Sequence, residues 1–192
     1  MKTMNQGMGV RFVRSGIMAV CLVLAPWASR AEEPGKRSLL PTVVTCALGS
    51  VSTSFTPGLR NDAAQAVAVA SEAAYDTCVT LFGEPVSAAT TFEQRSLTGQ
   101  GCGLLRTGQP SHLGVKWDTG ESSTLALSLY AVDVQGLLTV ETYNGTVTEG
   151  KYRGAHAVRT VTYINTDFAG GCMSVRGLTE AQGFTNLVLT VM

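Results

Sequence analysis

Ser122, Ser123, His112 and Asp118 crowd into one short stretch of the chain. A serine, a histidine and an aspartate are the parts of an acyl-transfer triad, in which the imidazole takes the hydroxyl proton and the carboxylate orients the imidazole. A catalytic serine commonly sits on a strained elbow of the G-x-S-x-G kind, and the sequence contains none. The local pattern reads instead as strand, turn, strand, with Asp118-Thr119-Gly120 as the turn and Ser122-Ser123-Thr124 opening the second strand. Asp118 and Glu121 flank the same turn, whereas glycosidic chemistry needs two carboxylates facing each other across a cleft. His156, in Gly154-Ala-His-Ala-Val158, is a candidate pH-sensitive group. It shares strand parity with Val158 and Ile164 and is expected to be partly buried, satisfied by a neighbouring hydroxyl or carbonyl. The D-x-D-x-D-G calcium loop, the Walker glycine loop and the H-E-x-x-H helix are all missing from the sequence. The expectation is a protein that is not an enzyme and that uses no cofactor and no metal.

The sulfur chemistry is more definite. Cys21 lies inside an apolar run near the start, which leaves Cys46, Cys78, Cys102 and Cys172. The two nearest of these are 24 positions apart, unlike the C-x-x-C pairs of zinc sites, and an even number in an exported chain predicts two disulfides. Four cysteines allow three connectivities, among which spacing does not decide. A hairpin folded around Pro57-Gly58-Leu59-Arg60-Asn61-Asp62 would bring Cys46 beside Cys78, favouring that pair and leaving Cys102 with Cys172.

Export is read from the first 31 residues. Lys2, Arg11 and Arg14 precede the apolar run Gly16 to Ala25, and Ser29-Arg30-Ala31 sets small residues at the positions a signal peptidase requires. The run is too short to span a bilayer, which takes about 20 helical residues, so no permanent membrane anchor is expected. Cleavage would remove four of the 14 bases and none of the 14 acids, leaving a net charge of about −4. Such a surface does not suit a nucleic acid, whose binding needs surplus Lys and Arg. The expected plan is a signal peptide over 1–31, a flexible leader over 32–44 and one domain over 45–192.

Thr, Gly and Val dominate that domain, and β-branched residues favour extended backbone. Strands are predicted over 50–56, 65–77, 86–94, 112–118, 121–133, 136–149, 153–165 and 184–191, separated mostly by Gly, Pro, Asn or Asp. Eight strands predict an all-β, antiparallel β-sandwich or small barrel. The Ala-rich run 62–76 reads as strand, with a helix capped by Asp62 as the alternative. The stretches 97–103 and 166–183 read as long irregular connections, and Asn144-Gly-Thr146, which matches a glycosylation acceptor, reads as a turn. Trp117, Tyr130 and Tyr143 fall in consecutive strands and are a candidate aromatic binding surface for a sugar or a protein. Their bland reading is cross-strand packing within the sheet. Leu104, Leu105 and Arg106, beside Cys102, are a candidate loop for inhibiting a protease.

Several motifs recur in a known order: Cys46, Phe55-Thr-Pro-Gly-Leu59, Cys78, Gly101-Cys102, Gly114-Val-Lys-Trp-Asp-Thr-Gly-Glu-Ser-Ser-Thr124, Gly145-Thr-Val-Thr-Glu-Gly-Lys-Tyr-Arg-Gly154, Cys172 and Gly177-Leu-Thr179. In this order the chain resembles a group of secreted actinobacterial proteins common in streptomycetes. The resemblance implies an extracellular, disulfide-bonded, all-β domain and carries over no catalytic residue. It departs at 62–76, which is rich in Ala where the group is rich in Thr and Val. The functional expectation is a secreted binding or structural module for an extracellular protein or glycan, with a protease inhibitor, and after it an unfamiliar hydrolase, as alternatives.

Overall fold

The computed structural model describes residues 42–61, 64–102 and 110–191. Eight antiparallel strands follow one another around a closed barrel: β1 (Thr42–Leu59), β2 (Gln65–Leu81), β3 (Ala89–Gln100), β4 (Pro110–Trp117), β5 (Ser122–Gln135), β6 (Leu138–Gly150), β7 (His156–Ile164) and β8 (Leu178–Val191). Each strand pairs with its sequence neighbour, and β8 returns to pair with β1 from Thr42↔Val191 to Leu59↔Leu178. That last pairing removes the sheet's edges and settles barrel against sandwich. Gly120 and Gly136 take positive φ in the β4–β5 and β5–β6 turns, where an L side chain would be strained.

Strand β2 shows why the Ala-rich run is extended. Val67, Val69, Ser71, Ala73 and Tyr75 point inward, and between them Ala68, Glu72 and Asp76 face outward. A period of two fits a strand held on both sides, by β1 and β3, and tertiary pairing outweighs alanine's helical preference. Four other expectations shift. Residues 42–44, placed in the leader, form the start of β1, and residues up to Gln100 extend β3. The segment 166–183 is not irregular: it holds nearly all of a short helix, α1 (Asn165–Met173), and the first six residues of β8 (178–183). Asn144-Gly-Thr146 is strand rather than turn, pairing with both β5 and β7.

Both disulfides form as favoured, Cys46 with Cys78 and Cys102 with Cys172. The first staples β1 to β2 where the two cysteines are register partners. The second ties the end of β3 to α1. Spanning separations of 32 and 70 residues, each contributes on the order of 4 kcal/mol by restricting the unfolded chain.

The two ends of the barrel differ. At the lower end, where β4 passes into β5, Trp117 is buried, donates its indole N–H to Ser123 Oγ at 2.9 Å, and meets Tyr152 edge-on at 5.4 Å. Lys151 lies across the Tyr152 ring and pairs with Glu84 and Glu121. Above this plug, Leu113, Leu125, Leu127, Val147, Leu187 and Leu189 fill the interior. At the upper end α1 lies over a second apolar cluster of Leu59, Val67, Val69, Cys172 and Leu178. Among the described residues no helix is long and apolar enough to cross a membrane.

Candidate functional site: the charged interior and its helix-capped mouth

Inward positions in the upper half of the barrel carry charge. On β3 the inward row runs Ala89, Thr91, Glu93, Arg95; on β6 Thr139, Glu141, Tyr143; on β7 Ala157, Arg159, Val161, Tyr163. Alternation sends all of them into the barrel because their even-numbered or odd-numbered neighbours face solvent. Glu93 stands at the centre. It accepts from Ser111 Oγ at 2.8 Å and from Arg159 Nη1 at 3.4 Å, and Arg95 Nε faces it as an ion pair at 3.1 Å. Arg95 Nη2 reaches Tyr143 Oη at 3.4 Å, and that hydroxyl donates to Glu141 Oε2 at 2.7 Å. A neighbouring set joins Tyr163 Oη, Thr53 Oγ1 and Ser71 Oγ through contacts of 3.0 Å.

Burial sets the electrostatics. Removal from water pushes the Glu141 carboxyl above its usual range; the Tyr143 hydroxyl and the two guanidiniums draw it down without cancelling the shift. Burial likewise drives Tyr143 well upward, and Glu141 adds to it. Burial opposes the charge on Arg159, yet Tyr75 and Glu93 outweigh it, and the guanidinium stays cationic. Arg159 is only 2% exposed. Its Nε and Nη2, with Arg95 Nη1, find no hydrogen-bond acceptor among the described residues.

A pocket of about 460 Å³ opens at the upper end, beside α1 and on the β5–β6 side of the barrel. Val132, Val134, Phe168, Ala169 and Met173 supply its apolar wall, and Asn61, Thr139 and Asn165 its polar groups. Asn165 Nδ2 donates to Gly136 O at 2.9 Å and Thr139 hydrogen-bonds Asn165 Oδ1, so α1 is fixed to the β5–β6 turn. Phe168 meets the Tyr163 ring at 5.2 Å, bringing the pocket wall onto the roof of the charged cluster. Exposed Val134, Leu137, Leu138, Ile164, Met173 and Val175 surround this mouth. A larger concavity, of about 790 Å³, lies on β1 to β5. Its outward residues are mostly short Ser, Thr, Ala and Gly, and the interior cluster is not part of its lining.

The residues singled out in the sequence do not make this site. Trp117 and Tyr143 are 2% and 3% exposed, whereas Tyr130 is 69% exposed, so the three form no common surface. The cause is strand alternation: Tyr130 follows inward-facing Leu129 and so points outward, whereas Tyr143 pairs with Leu129 and shares its inward face. Leu104, Leu105 and Arg106 lie outside the described residues. His156 is exposed rather than partly buried, because the inward parity of β7 belongs to Ala157, Arg159, Val161 and Tyr163. His112 is exposed near the start of β4, Asp118 accepts hydrogen bonds from Ser87, and Ser123 is bonded to Trp117 and to Lys151 O. No triad is assembled from them. Among the described residues no group of three or more His, Cys, Asp and Glu could hold a metal ion.

What the sequence reading missed is Glu93, Arg95, Glu141 and Arg159. A signal was present, since Glu93 and Arg95 share parity with Ala89 and Thr91, and Arg159 with Ala157 and Val161. Comparison with protein-family models, with curated proteins and with solved structures yields no match to this chain.

Proposed function

We propose that the chain is an exported binding module that takes a small, largely apolar ligand at the helix-capped mouth of its barrel. The observation that carries this reading is the pocket of about 460 Å³ walled by Val132, Val134, Phe168, Ala169 and Met173. Its size lies within the range of small-molecule sites, and apolar walls with a few polar groups are their usual make-up. The plugged lower end supports the choice of end. The two disulfides and the sequence's export signal support an oxidising compartment.

Ala169 is exposed on α1 and lines the pocket, which makes it a clean place to fill the mouth. Ala169→Trp should weaken binding of an environment-sensitive probe, 1-anilinonaphthalene-8-sulfonate, by about tenfold or more while the thermal transition is kept, since bulk introduced at a surface position has little effect on the fold. Unchanged probe binding in a folded Ala169→Trp protein would contradict the mouth as the site.

A further inference from the structure

We propose that the ligand of the mouth pocket carries a carboxylate head that docks inside the barrel on Arg159 and Arg95. The inference rests on the reading of the mouth as a ligand pocket and names the chemistry of what enters it. A guanidinium presents five N–H donors in a fixed fork. Among the described residues, Arg159 makes one hydrogen bond, the 3.4 Å contact to Glu93, and its Nε and Nη2 meet no acceptor although the side chain is 2% exposed. Arg95 adds Nη1, also unmatched. Both guanidiniums flank the same Glu93 carboxylate, so their unmatched edges belong to one region of the interior. Planar, paired donors of this kind match the two oxygens of a carboxylate. Buried N–H groups without acceptors are costly, and an oxygen-bearing ligand relieves that cost.

Strand β6 runs from the pocket toward the cluster. Thr139 lines the pocket, and Glu141 is the next inward residue on the same strand, roughly 7 Å further down at the strand's rise per residue. Glu141 is joined through Tyr143 to Arg95. Tyr143, one inward step below Glu141, is the register partner of Arg159, so a head lowered two such steps beneath Thr139 reaches the level of that arginine.

Calorimetry with octanoate and 1-octanol at neutral pH separates head from tail. Octanoate should bind at least about tenfold more tightly than octanol, the usual scale for hydrogen bonds to a charged group. Arg159→Met should bring octanoate down to the affinity of octanol and leave octanol unchanged. Should Arg159→Met fail to fold, Arg95→Met, at the more exposed edge of the cluster, decides the question by narrowing the octanoate advantage by about threefold or more. Equal binding of the two compounds overturns the carboxylate head and leaves the mouth pocket standing. An octanoate advantage that survives in the folded variants overturns docking on the arginines. Binding of neither compound overturns this inference and the mouth reading together.

Discussion

Arg159, Glu93, Arg95 and Glu141 are four charged side chains inside a barrel wide enough for side chains to fill. Removing one partner of such a cluster costs about 3–5 kcal/mol, because the remaining charge is left buried without compensation. A packed apolar interior would avoid that risk, so the cluster is better explained by what it recognises than by what it stabilises. Glu141 gives a measurable consequence. Its folded pKa is raised above the reference of 4.5 by burial, so the folded state favours the protonated acid. The stabilising effect of that proton is complete below the unfolded value and is lost as pH rises through the folded value. Urea unfolding of Glu141→Gln against the parent should therefore show a stability difference that shifts in favour of the variant as pH rises from about 4.5. A difference independent of pH would show that Glu141 is not perturbed. These residues are legible only in part: charge at a core parity is visible once the inward face is known, but on β7 the sequence does not separate the parity of His156 and Val158 from that of Ala157 and Arg159. Five of the six residues 157–162 are β-branched or small and they fall on both faces of β7, which gives little to choose between them.

At the scale of elements, the strands were largely readable and the helix was not. Residues 124–129 alternate Leu with Thr, Ala or Ser, which fixes the first part of β5 and its inward face. Strand β2 was ambiguous because alanine suits a helix in isolation, and only pairing with β1 and β3 resolves it. Helix α1 has two glycines, no apolar periodicity and no side-chain cap, so nothing local announces it. Its position comes from tertiary contacts: the Cys102–Cys172 bridge, and the close fit of Gly171 against Leu178. Replacing both Cys102 and Cys172 with Ser should therefore lower stability by about 4 kcal/mol, less any strain relieved. It should also release α1 selectively. Hydrogen exchange should show lost protection across 165–173 with the amides of Leu125, Leu127 and Leu129 still protected. Retained protection in α1 would mean that packing, rather than the bridge, holds the mouth in shape.

At the scale of the whole molecule, closure was the part no local pattern encodes. The pairing of β1 with β8 joins residues more than a hundred positions apart, and eight alternating strands are equally compatible with two packed sheets. Once closed, the barrel has a direction: a lower end plugged by Trp117 and Tyr152 and tied by Lys151, and an upper end with a pocket beside α1. Binding confined to one end follows from that asymmetry. The most direct measurement is nuclear magnetic resonance of the arginine Nε–H and tryptophan indole signals during titration with octanoate. The Nε–H resonances of Arg159 and Arg95 should move together with the backbone amides of Thr139 and Ala169, while the Trp117 indole stays still. Movement at Trp117 with the two arginines silent would contradict a ligand site built on the charged upper interior.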